Sequence, residues 1–544
     1  MKGGIIMANN NAKRNKRNTK PNGNSKYSNK RGNKEVEIDV DEKKINKADL
    51  PHVITTTKTN NDPQWYRNIP NLTNDVASIP MSLPDGVLTP PLKTNSPVKT
   101  SPTTYAYPGI MTISLIPTIG PSRDRTSAAN IAAQQFYTLT RKANSGAVNY
   151  DKTDLMMLIL GMDSAYMLYE HLLRWYRTIG TYNYMNRYMP DDLLQALGAS
   201  ASIGKSLADF RGILDLFAYQ LASINIPDQF DIIKRHSWLF TNVYTDANDQ
   251  KAQLYAYIPS GLYVWQEGTS SEPTKLKYMQ MSDLFGLSSQ YALVENLDQI
   301  QHAIDTIMNP LLGSQDVGIM SGDLAKAFGE GGMIKIQPVA EYEALTPVYD
   351  REVLIQMSNS HKCVNAWDQT KLDIVADNSD LVAGPIIIQD LSDMYPNSRT
   401  QNCIKPVLNF IDTEASPDNI MVATRLTTDA KFDADGNVSE VVYGTEVVET
   451  YRIWLAYNGN GQRLLNNQII TSDVVNVTPD NARVVLEQFS NFTKFDWAPP
   501  QYFTYGTGND ETYMGNLIDI CNYTYLEHNN LRDIHSVAVM SLFA

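Results

Sequence analysis

Cysteine is scarce: Cys363, Cys403 and Cys521 are the three in 544 residues. They can form one disulfide at most, which excludes a disulfide scaffold. Reduced structural thiols in an intracellular protein are the expectation. Long apolar runs are missing too. The longest, Leu155 to Met162, stops at Asp163, far short of the ~20 residues a membrane-spanning helix needs. The N-terminus has no apolar segment of the kind that opens a secretory leader. Sequons such as Asn71-Leu-Thr and Asn522-Tyr-Thr are therefore expected to stay unmodified. Catalytic signatures are also lacking. There is no GxSxG and no HExxH, and His52, His171, His236, His302, His361, His528 and His535 are scattered. Acidic residues are absent from the first 34 positions, which hold ten of the chain's 46 basic residues. The rest of the chain therefore carries 36 basic against all 59 acidic side chains, a balance of −23 within a net charge of −13. A basic tail precedes an acidic body.

What is present supports globular domains. Hydrophobic residues make up 42% and charged residues 19%, enough for sizeable cores. Length alone suggests three or four domains. Residues 1–50 are Asn, Lys, Arg and Gly with one aromatic, Tyr27, and too little apolar area to offset ordering entropy. They read as disordered, with a short transient helix over Glu35–Lys47. Residues 51–125 are rich in Pro, Thr, Ser and Asn and read as an extended arm, with a strand over Gly109–Ile119 at its end.

Helical periodicity dominates 126–245. The spacing predicts a helix from Ser127 to Lys142, with Ile131, Phe136 and Leu139 on one face. A second runs from Asp154 to Ile179, capped by Thr153 and supported by a Glu170–Arg174 pair. Asp191–Leu197, Leu207–Ile224 and Phe230–Leu239 continue the period. The Met and Tyr stripes on these helices read as core. Leu254–Tyr257 and Leu262–Trp265 alternate around Pro259-Ser260-Gly261 as a hairpin. Helices follow at Val294–Met308 and Asp316–Phe328. Strands are expected at Met333–Val339, Val353–Met357, Pro385–Ile388, Val441–Val448 and Thr450–Tyr457, with Asp433–Asn437 as a turn. Residues 481–544 return to helix, at Ala482–Phe489 and Leu531–Phe543. No repeat is visible. The fold class is α+β. A mainly helical domain (51–250 with 481–544) carries an inserted β-containing domain (251–480), behind the tail and arm.

Local motifs do not add chemistry. Gly198-Ala-Ser-Ala-Ser-Ile-Gly204-Lys205-Ser206 has five residues between its glycines where a phosphate loop has four, and helix precedes it instead of a strand. It reads as a helix connection. His361, Cys363 and Cys403 lack the spacing of a zinc site. Asp433, Asp435 and Asn437 have their Gly too early for a calcium loop. Gly329-Glu-Gly-Gly332 reads as a loop, and Asp191-Asp192 as residues favoured at a helix N-terminus. No catalytic residue, metal or cofactor is assigned.

The feature with a physical consequence is the tail. Lys13, Arg14, Lys16, Arg17, Lys20, Lys26, Lys30, Arg31 and Lys34 are the residues expected to contact RNA phosphates, without reading sequence. A basic tail, a Pro-rich arm and acidic folded domains form the layout of a shell-building protein. The alternative is a non-capsid RNA-binding ribonucleoprotein, which would need aromatics among the basic residues for stacking.

One stretch carries a resemblance. It comprises Pro108-Gly-Ile-Met-Thr-Ile-Ser, Pro117-Thr-Ile-Gly-Pro-Ser, Ala128-Ala-Asn-Ile-Ala-Ala-Gln-Gln-Phe-Tyr and Arg141-Lys-Ala-Asn-Ser-Gly-Ala-Val-Asn-Tyr-Asp151. Asp154-Leu-Met-Met and Met162-Asp-Ser-Ala-Tyr166 complete it. This resembles the capsid proteins of picobirnaviruses, small bisegmented double-stranded RNA viruses. The resemblance implies a non-enzymatic coat protein that dimerises and self-assembles into a small icosahedral shell. Its partners would be itself and viral double-stranded RNA, with no stable membrane insertion. It would reside in the virion after assembly in the host cytoplasm.

Overall fold

In the computed structural model the chain divides into two units, Met1–Met81 and Ser82–Ala544. The structure describes residues 66–78, 104–181, 189–247, 252–269, 272–290, 292–361, 369–380, 382, 384–391, 407–410, 415–433, 438–459, 462–470, 474–477, 491–500, 502–505, 513–516 and 523–544. The basic tail, the Glu35–Lys47 helix, all three cysteines and the Ala482–Phe489 helix lie outside them.

The first unit contributes α1 (Pro70–Ala77), with Pro70 in its first turn, where a missing N–H costs nothing. Leu72 and Val76 on it, and Tyr66 and Ile69 just before it, are exposed.

The second unit begins with β1 (Thr104–Pro117), α2 (Ala128–Ala143), α3 (Lys152–Ile179), α4 (Met189–Ala196), α5 (Leu207–Ala222) and α6 (Asp231–Leu239). Next come β2 (Tyr244–Thr245), β3 (Leu254–Pro259), β4 (Gly261–Gln266), β5 (Lys275–Gln280) and α7 (Met281–Leu284). Then follow α8 (Leu297–Gly313), α9 (Gln315–Phe328), α10 (Arg351–Ser358), β6 (Ile374–Asp377) and β7 (Ile386–Ile388). The chain continues with β8 (Val407–Asn409), α11 (Pro417–Thr424), β9 (Asp429–Phe432), β10 (Val438–Val442), β11 (Glu446–Gly459) and β12 (Gln462–Ile470). Short strands β13 (Val474–Val477), β14 (Tyr502–Tyr505), β15 (Tyr513–Asn516) and β16 (Tyr523–Tyr525) precede a C-terminal helix, His528–Leu542. The class is α+β, as expected.

The largest sheet has the order β12-β11-β1-β3-β2. The expected strand at Gly109–Ile119 is its middle, parallel to β3 and antiparallel to β11. Ile110 to Ile116 are buried at every position, the pattern of a strand covered on both faces. The end of the expected arm is therefore a core strand. Its register breaks between Tyr105 and Ile110, where Pro108 has no N–H to donate.

The expected hairpin around Ser260 is not formed. β3 pairs with β1 and β2, whereas β4 pairs with β5 in a second sheet of order β4-β5-β6-β7. Ser260 alone separates the two strands. Its N–H donates to the Leu115 carbonyl and its own carbonyl accepts from Met281, so the chain changes sheets there.

α3 is the centre of the helical part, packed by α2, α5, α6 and β4. The Met and Tyr stripes are core, but the helix is buried almost all round rather than on one face. Asp151, not Thr153, caps it by accepting from the N–H groups of Thr153 and Asp154, while the Asp154 carboxylate accepts from the Asp151 N–H. Arg174 turns away from Glu170 and donates to the Asn242 carbonyl at 3.0 Å. On α2 the buried stripe is Ala129, Ala132, Ala133 and Phe136. Ile131 and Leu139 face outward, 36% and 50% exposed. With Ala128, also buried, four small alanines allow close approach to neighbouring helices.

α4, α5, α6, α8 and α9 fall where periodicity places them. Val353–Met357 is helical, not extended, because Asp350 accepts from the N–H groups of Glu352 and Val353 and starts α10. Met333–Val339 forms no strand and makes one isolated bridge, Met333 with Pro227. β9 and β10 pair antiparallel across the expected Asp433–Asn437 turn, of which 434–437 lie outside the described residues. The run Val441–Val448 is divided between β10 and β11. β14 to β16 interrupt the expected return to helix. One continuous core runs from Ile110 to Phe543, and the sequence position 250/251 falls between the paired neighbours β2 and β3.

Candidate functional site

The nine tail cations expected to meet phosphates lie outside the described residues. The densest group of charge inside the fold is a buried ionic cluster that sequence reasoning missed. It joins α3, α6 and β11. Arg235 meets Glu446 in bidentate fashion, with Nε–Oε1 2.6 Å and Nη2–Oε2 2.9 Å. His236 Nδ1 lies 2.5 Å from Asp163 Oδ2, and its Nε2 faces the Thr445 carbonyl at 3.2 Å. The Thr445 hydroxyl donates to Glu446 Oε1 at 2.6 Å. Burial alone would push the His236 pKa down. The Asp163 and Glu446 carboxylates outweigh it and hold the imidazole above its ordinary value. Glu446 is likewise opposed by burial, yet Arg235 and His236 bring it down to about 2.

An Asp–His pair is half of a nucleophile-activating arrangement. Here the second imidazole nitrogen faces a carbonyl rather than a hydroxyl or thiol, and the group is buried. The arrangement is a polar clasp between elements that pack against each other. Asp163, the residue that ends the longest apolar run, was its legible signal. Arg235 and Glu446 offered none, because their pairing spans 211 positions.

Other described histidines lie outside the cluster. His171 lies between Trp175 and Phe240, with its Nδ1 2.9 Å from Arg174. His535 Nε2 reaches the Thr427 carbonyl at 2.8 Å. His528 bridges Asp429 at 2.7 Å and Glu440 at 3.3 Å. His361 is buried, and its suspected companions Cys363 and Cys403 lie outside the described residues. The Gly198–Ser206 segment is a helix connection with a 3-10 turn over Ala201–Ser206, tied by Ser202 to the Glu295 carbonyl.

A cleft of about 350 Å³ lies between α3, α6 and residues 334–339. Its charges are largely matched internally: Arg177 with Glu343 at 2.6 Å, and Lys234 with Asp228 at 3.6 Å. Several helices expose large apolar side chains. Leu216 and Tyr219 on α5 are 52% and 75% exposed, and Leu312 and Ile319 project from α8 and α9. Among the described residues no helix is long and apolar enough to cross a membrane.

Comparison with known proteins places this arrangement. The sequence profile of a family described as "Picobirnavirus, Capsid protein" matches residues 65–476. The "Capsid protein precursor" of Human picobirnavirus (strain Human/Thailand/Hy005102/-) is 29% identical over 516 residues, covering 89% of this chain and 91% of that protein. The crystal structure of the picobirnavirus capsid superposes with a TM-score of 0.73 at 22% identity, covering 89% of this chain and 98% of that one. It shares the fold.

Proposed function

The chain belongs to the picobirnavirus capsid protein family, and on that premise we propose that it dimerises and closes into a small icosahedral shell around double-stranded RNA. The role is structural and no reaction is assigned. The observation that carries the reading is the family match over residues 65–476. The charge split supports the finer part. Ten cations precede an acidic body, so attraction for RNA is concentrated in the tail. Lys13, Arg14, Lys16, Arg17, Lys20, Lys26, Lys30, Arg31 and Lys34 contact the genome phosphates in this proposal. Exposed Leu216, Tyr219, Leu312 and Ile319 suit burial between copies. Residues 51–250 with 481–544 form the wall, 251–480 project from it, and assembly takes place in the host cytoplasm.

Two measurements test this. Negative-stain images of the purified chain should show closed particles; a stable monomer at micromolar concentration and near-physiological salt would sink the proposal. Replacing Lys13, Arg14, Lys16 and Arg17 with Gln should shallow the slope of log affinity against log salt by up to ~0.9 per lost duplex contact. Two unrelated RNA duplexes should be affected alike, because phosphate contacts carry no base information. An unchanged slope would remove the tail as the RNA-binding element.

A further inference from the structure

β12 is the outermost strand of the largest sheet. It pairs with β11 along all nine of its residues, from Ile470 with Tyr451 to Gln462 with Gly459, without a register break. Among the described residues nothing pairs with its other edge. The opposite end of the sheet is β2, two residues long. Every other edge strand described has six residues or fewer.

An open strand edge presents alternate N–H and C=O groups with no partners, a template for another strand. Proteins that must stay single blunt such edges with proline, lysine, a bulge or short length. The sequence QRLLNNQII has no proline and no lysine, and its only charge is Arg463. The strand is long and regular, and among the described residues its outer edge is unpaired.

We propose that β12 pairs edge to edge with β12 of a second copy of this chain, antiparallel across a two-fold axis, so that the two large sheets become one. The proposal rests on the reading of this chain as a self-assembling coat protein, which supplies the second copy. Antiparallel self-pairing is closed by its own symmetry and needs no second patch. Pairing over the full length places the middle residue, Asn466, on the axis as its own register partner. Arg463 then stands opposite Ile469, Leu464 opposite Gln468 and Leu465 opposite Asn467, so no like charges are opposed. An in-register parallel arrangement would set Arg463 beside Arg463, which is unfavourable.

Position 466 gives tests that only a second copy can pass. In the full chain, Asn466→Cys should form a covalent dimer under mild oxidation, because Cα atoms of opposed residues lie ~4.5–5.5 Å apart, within disulfide reach. Gln462→Cys should not, because its two copies would be ~27 Å apart at ~3.4 Å per residue. The unsubstituted chain under the same oxidation is the background. Asn466→Lys and Asn466→Asp should each weaken dimerisation about fivefold, and an equal mixture of the two should restore it. Matched melting temperatures of the dissociated variants would show that both fold. If the native chain assembles but Asn466→Cys gives no covalent dimer above background, or the mixture stays as weak as its components, the β12 interface is wrong and the coat-protein reading stands. If the native chain does not self-associate at all, both fall.

Discussion

At the residue scale the strongest constraint is the clasp of Asp163, Arg235, His236 and Glu446. Removing one member strands its partner's charge in the core. Glu446→Ala should cost about 3–5 kcal/mol in unfolding free energy, measured by urea titration of the dissociated chain. Arg123→Ala, which breaks the half-exposed pair with Asp390 at 2.6 Å, should cost less than ~1 kcal/mol. The buried histidines divide by sign. Burial, with Arg425 adding to it, lowers His535 to about 3. Burial lowers His361 to about 4. The unfolded chain therefore binds more protons below the ordinary histidine pKa of ~6.5. Their contribution to stability is complete above that value and fades as pH falls through the folded pKa values, at up to ~1.4 kcal/mol per pH unit per group. His236, whose pKa is raised, behaves oppositely. Its contribution is complete below the ordinary value and fades as pH rises through the folded one. Melting temperature against pH should therefore fall on the acid side of neutrality. In His535→Gln that acid limb should be shallower by the equivalent of one proton, and an unchanged limb would show that His535 does not set it.

At the element scale the C-terminal helix is the piece held by local geometry. Gly120 has a φ of 72°, a region unfavourable for other residues, and a Cβ there would come within 2.8 Å of Val539 on that helix. Gly120→Ala should destabilise by about 2 kcal/mol or more through strain and overpacking together. Hydrogen exchange should show lost protection in the amides of 528–542. Gly146→Ala, which meets nothing within 4 Å, is the control. Elements with a strong period or a clear cap were legible in advance: α3, α5, α6, α9, β1 and the C-terminal helix. α10 was misread because Val353, Leu354 and Ile355 suit a strand, while Asp350 and burial on all sides make them a helix. The β3–β4 link was misread because alternation around Pro-Ser-Gly is common to a hairpin and to a change of sheet.

At the scale of the whole molecule one sheet gathers strands from distant sequence. β1, β3 and β11 are adjacent, so residues on both sides of position 250 share a core. The projection proposed for 251–480 would therefore share its core with the proposed wall. A specific protease site engineered between 250 and 251 should give a nicked chain that still elutes as one species and melts as one transition. Two separately eluting fragments would refute this. β1 recruits β3 and β11 across 144 and more positions.

Charge and periodicity act locally, so the sequence by itself determined the basic tail, the acidic body, the α+β class and most helices. The motif run from Pro108 to Tyr166 was enough to point to the family. Partner choice is not local. Which strands lie beside β1 and which carboxylate meets Arg235 depend on contacts between residues 144 or more positions apart. Each of those residues taken alone reads as an ordinary Ile or Arg. Only the tertiary structure decides them, because hydrogen-bond pairing and burial of charge are properties of two segments together.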